Sequence, residues 1–91
     1  MNDDEVPTDV RDTLGQLLSE AHDAVGERPE TARDAIDTVD RVATNKLPEG
    51  DRQDRLEHGC RAAADALDAG DDALAREYLR AMTRRLGEGT D

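Results

Sequence analysis

The stretch VRDTLGQLLSEAHDAVG, residues 10–26, decides the fold class. Val10, Leu14, Leu17, Leu18, Ala21, Ala24 and Val25 step by three and four, which draws one apolar stripe along a helix capped at Thr8 or Asp9 and stopped at Gly26. Gly15 weakens the middle of that helix slightly. Working outward, Pro29 suits the first turn of a second helix, in which Ala32, Ala35, Ile36, Val39, Val42 and Ala43 again fall at helical spacing, up to about Asn45. Leu47, Pro48, Glu49 and Gly50 form the central break. Asp51 then opens a third helix as its cap, and the stripe becomes Leu56, Cys60, Ala63, Ala64 and Leu67. Gly70 ends it and Asp71 caps a fourth helix, which presents Leu74, Ala75, Tyr78, Leu79, Met82 and Leu86 before Gly87. No segment alternates as a strand would.

Sliding the chain against itself by 43 positions superposes Leu17 on Cys60, Ala21 on Ala64, Ala32 on Ala75, Ile36 on Leu79 and Val39 on Met82. The two halves therefore read as two antiparallel αα-hairpins, and packing them together predicts an all-α four-helix bundle. Two stacked solenoid repeats are the alternative. One domain is expected over residues 8–87, between an acidic, disordered tail at 1–7 and a polar one at 88–91.

An apolar fraction of 35%, with no Trp or Phe and Tyr78 as the single aromatic, leaves a thin core of mostly Leu, Val and Ala. Pairing between chains would bury more apolar area, so a homodimer or another protein partner is expected. Asp and Glu together number 23 and Lys46 is the lone lysine, although propensity would favour Lys on helices and Glu over Asp. At molar salt the Debye length is about 3 Å, so a net charge of −11 scarcely repels itself. The surface thus reads as one suited to the salt-filled cytoplasm of a halophile. Cys60 stands alone, which excludes an internal disulfide and fits a reducing interior. No apolar run approaches the ~20 residues of a membrane span, and the acidic start is unlike a basic signal peptide, so a cytoplasmic location without membrane attachment is expected.

The segment LDAGDDALA, residues 67–75, with Leu86 beyond it, resembles an archaeal family of short, uncharacterised all-helical proteins. Those share a Gly-Asp turn after a helix, an Ala five residues after the Gly and a Leu near the end of the next helix, positions taken here by Gly70, Asp71, Ala75 and Leu86. The resemblance covers residues 56–89, implies a haloarchaeal member, and carries no assigned activity. That family has several aromatics in these helices where this chain has Tyr78 alone. The same hairpin is similar to a tetratricopeptide repeat, with Ala75, Leu79 and Met82 at the small-residue spacing that follows its turn.

Candidate chemistry is sparse. His22, His58 and Cys60 are the only soft metal ligands, too scattered for a zinc site, and the reading assigns no metal and no cofactor. Cys60 reads as a core thiol and His58 as a surface histidine two residues away. Arg52 and His58, with five residues between them, resemble the Arg-x4–6-His motif of ribonucleases in the higher eukaryotes and prokaryotes nucleotide-binding superfamily, also all-helical, which implies RNA cleavage supported by His58. An apolar residue usually follows that Arg, whereas Gln53 does here. Arg76, Arg80 and Arg84 recur every four residues and, with Arg85, form a basic row. Asp34, Asp37 and Asp40 could pair with it within the bundle or across a dimer; a protein partner or nucleic acid are the other readings, the last disfavoured by the acidic surface and by salt. The expectation is a non-catalytic helical protein-protein interaction module or small subunit, with a minimal RNA-processing or toxin-type nuclease using Arg52 and His58 as the alternative.

Overall fold

The computed structural model describes residues 7–88; of the tails expected at 1–7 and 88–91, residues 1–6 and 89–91 lie outside the described residues. Four helices follow one another, α1 (Thr8–Ala24), α2 (Pro29–Lys46), α3 (Asp51–Asp68) and α4 (Asp72–Glu88). Thr8 and Asp51 open the first helices of the two hairpins and Pro29 and Asp72 the second, 43 residues apart in each case. Each helix packs on two others: α1 and α3 both touch α2 and α4, while α1 lies diagonal to α3 and α2 to α4. Short connections make every neighbouring pair antiparallel, so this is an up-down-up-down bundle. Contact between α1 and α4 closes the ring, which a stack of two solenoid repeats would leave open.

The apolar stripes meet where the periodicity aims them. Leu14, Leu18, Val25, Ile36, Val39 and Leu79 are the largest fully buried side chains. Alanines from all four helices, among them Ala21, Ala32, Ala63 and Ala75, fill the spaces between them. Val10, Leu17, Val42, Leu67 and Tyr78 cover the margins. Leu74, 37% exposed, is the one exposed large apolar side chain among the described residues, so the thin core nonetheless closes within a single chain. Close approach of α3 and α4 depends on Gly59, where a Cβ would lie 2.6 Å from the Met82 Sδ.

Several ends differ from the sequence reading. Pro7, not Thr8 or Asp9, occupies the cap position of α1, without a side-chain hydrogen bond. Gly50 rather than Asp51 occupies the cap position of α3, so the helix begins one residue earlier than the sequence reading, and Leu47, read as part of the break, tucks into the core at 5% exposure. Asp51 is then the first helical residue, where its charge still meets the positive end of the dipole. Gly87 does not stop α4, which reaches Glu88. The turn between α3 and α4 matches its reading: Gly70 takes φ +77°, the Asp71 amide donates to the Ala66 carbonyl at 2.8 Å and that of Gly70 to Leu67 at 3.0 Å, a Schellman closure. Asp71 also caps α4, its Oδ1 accepting the Leu74 amide at 3.2 Å.

Candidate binding cleft at the open end of the bundle

Antiparallel connectivity gives the bundle two unlike ends. The turns at 25–28 and 69–71 share one end, and the single connection at 47–50 shares the other with the start of α1 and the finish of α4. At this open end a cleft of about 460 Å³ lies between the connection, the first turns of α3 and the last turns of α4. Leu47, Leu56, Met82 and Leu86 make its floor, and Arg52, Arg55 and Arg85 its rim together with Asp51. Spacing of three puts Arg52 and Arg55 on one face of α3, and α4 brings Arg85 to the same opening. Arg55 and Arg85 are exposed and form no ion pair among the described residues, although acidic groups outnumber basic ones by 23 to 12 in this chain.

The cleft exists because Gln53 holds the connection in place. This buried side chain points its amide nitrogen back at the end of α2, where the carbonyls of Ala43, Thr44 and Leu47 accept from it at 3.1, 3.2 and 3.2 Å. Thr44 and Leu47 carry carbonyls of the kind a helix C-terminus leaves without backbone partners, while that of Ala43 also accepts the Leu47 amide at 3.2 Å. Sequence reasoning noted Gln53 only as a departure from a nuclease motif; its polarity between Arg52 and the apolar face was the available signal.

The remaining candidates fall in separate places. His58 is exposed and does not line the cleft. Six residues of helix put it ~9 Å along α3 from Arg52 and roughly a third of a turn around, so the two do not face one pocket. His22 is half-buried on α1, its Nδ1 3.8 Å from Asp23 Oδ1, and α1 is diagonal to the helix that carries His58 and Cys60. No cluster of three or more His, Cys, Asp or Glu is arranged to hold a metal among the described residues. Cys60 is buried with its Sγ 4.0 Å from Met82 Sδ, and burial, followed by the nearby charges of Asp40, Asp37 and Glu57, pushes its thiol up to about 12.

The basic row divides. Arg76 is half-buried and donates from Nη2 to the Val25 carbonyl at 2.8 Å, closing the end of α1. Gly26, at φ +90°, leaves it room, since a Cβ there would lie 2.9 Å from the guanidinium. Arg80 and Arg84 are exposed, and Arg85 belongs to the cleft. Pairing of the row with Asp34, Asp37 and Asp40 does not occur within the chain because α2 and α4 are diagonal. Asp37 instead meets Arg33 at 3.5 Å, and Arg33 also reaches Asp68 of α3 at 2.6 Å.

Fold and site together define a small four-helix bundle with a basic, apolar-floored cleft at one end. The chain belongs to the family described as a domain of unknown function (DUF8101), whose model matches residues 1–88. No curated protein and no solved structure matches it. Among the described residues no helix is long and apolar enough to cross a membrane.

Proposed function

We propose that this protein is a non-catalytic interaction module, a small subunit that holds a partner protein at the open end of its bundle in the salt-rich cytoplasm of an archaeal cell. The cleft carries this reading. An apolar floor ringed by arginine is the composition of a protein-binding hot spot, where arginine is enriched and water is excluded around an apolar centre. The helix faces offer a partner much less, since Leu74 is their one exposed large apolar side chain among the described residues. A heteromeric partner in the cleft is therefore favoured over a homodimer packed side by side.

Capture of the tagged protein from its host at native salt, followed by hydrogen exchange on the complex, tests this. A stoichiometric protein that slows exchange at residues 47–56 and 82–86 is the expected result. Enriched RNA without protein, or protection confined to faces away from the cleft, overturns it. The salt adaptation has its own test: helicity by circular dichroism falls as salt is withdrawn, because the uncompensated charges then repel across a small bundle. Full helicity in dilute buffer contradicts that part.

A further inference from the structure

Resting on that reading, we propose that the cleft receives the free C-terminal carboxylate of the partner chain, with the apolar side chains of its last one or two residues lying on the floor.

The charges at the opening call for an anion of low valence. Arg55 and Arg85, both exposed, face it from two helices with Asp51 beside them, which suits a single carboxylate better than a phosphate or a nucleic-acid backbone. The start of α3 adds to the attraction. Its cap residue Gly50 brings no side chain, and the first amides of a helix, here beginning at Asp51, lack carbonyl partners within it and lie at the positive end of its dipole. Arginine forks bind carboxylates through paired, charge-assisted hydrogen bonds that act by contact, so they survive a Debye length of about 3 Å at molar salt.

Size and adjacency select the terminus of a chain. At about 460 Å³ the cleft lies within the range of roughly 300–1,000 Å³ typical of small-ligand sites, and a whole helix needs a longer groove. Leu56 and Met82, both buried, line the same cleft as the exposed Arg55 and Arg85. The occupant must therefore place a carboxylate next to apolar surface. An internal Asp or Glu carries its charge in place of an apolar side chain, whereas a terminal Leu or Val offers both on one residue. Backbone recognition of a chain's terminal carboxylate is an established mode of peptide capture.

The test is fluorescence anisotropy on the full chain in molar KCl, with a labelled peptide ending in Gly-Leu-Leu as the free acid, the same peptide as its terminal amide, and octanoate as a competitor. The free acid is expected to bind, the amide about tenfold or more weakly, since charge-assisted contacts are lost. In Arg55→Gln/Arg85→Gln the free acid also weakens about tenfold, while Arg80→Gln/Arg84→Gln, exposed and outside the cleft, leaves it unchanged. All four positions are exposed, so circular dichroism should report intact helices in both variants. Equal binding of acid and amide, or indifference to Arg55→Gln/Arg85→Gln, overturns the proposal. Binding of octanoate without the peptide also overturns it, and assigns the cleft to a free organic acid. A captured partner that binds Arg55→Gln/Arg85→Gln as well as the parent leaves the interaction module standing while the carboxylate proposal falls.

Discussion

The two ends of this bundle are made from the same 43-residue offset and finished in different ways. At the turn end, polar contacts cross between elements: Arg76 of α4 holds the Val25 carbonyl of α1, Arg33 of α2 meets Asp68 of α3, and Gly70 with Asp71 closes one helix while starting the next. At the open end one buried amide, that of Gln53, gathers three carbonyls, and beside it the surface opens into the cleft. The comparison teaches that the turn end commits Arg33 and Arg76 to the bundle itself, whereas the open end leaves Arg55 and Arg85 without an ion pair among the described residues.

Cys60 lies between the ends and reports on opening of the core. Buried and held protonated, it should react with a thiol reagent at pH 8 about a thousandfold more slowly in the folded protein than in denaturant, because labelling must wait for opening. The folded thiol titrates near 12 against an ordinary value of 9.0. Since its folded value is raised, its neutral form leaves stability untouched below the ordinary value. Above about pH 9 the unfolded chain ionises first, and stability declines until about pH 12. A flat chemical midpoint between these limits would contradict the buried placement.

Gln53→Ala is the next largest effect. It leaves the buried Leu47 carbonyl and the part-buried Thr44 carbonyl without this donor and should cost about 1–3 kcal/mol in urea unfolding, with faster labelling of Cys60. An unchanged midpoint would mean that the open end is not held this way. Arg76→Ala strikes the turn end and should cost about 1–2 kcal/mol while leaving any ligand at the cleft bound as before. Weakened cleft binding in that variant would show that the ends are coupled.

The mid-helix glycines sharpen the contrast by sign. Gly59→Ala drives a methyl into Met82 and should destabilise by about 1 kcal/mol, the clash outweighing the gain in helix propensity. Gly15, with nothing within 4 Å of its would-be Cβ, should gain slightly less than that on substitution by Ala, about 0.8 kcal/mol. Thermal melts of the two variants that move in the same direction would remove the distinction between them.

What could be read directly was local. Stripes at three and four, Pro29 at a helix start, and Gly26 and Gly70 at stops depend on neighbours within a turn or two, and the helices follow them closely. Sequential hairpins joined by short links then leave few ways to bury four stripes. The helix caps were less legible: Asp51 has the chemistry of a cap, but α3 begins on it, with Gly50 in the cap position.

By itself, then, the sequence determined the helices, their pairing in hairpins, the alanine-rich core and the acidic surface, because each is set by residue type and short-range spacing. Only the tertiary structure decided that Gln53 reaches back ten residues to Ala43, that Arg76 reaches 51 residues to Val25, and that Arg52, Arg55 and Arg85 share one opening. Those meetings depend on which helix ends lie side by side once the ring of four closes. Periodicity states which face of a helix turns inward, but not what waits at its end.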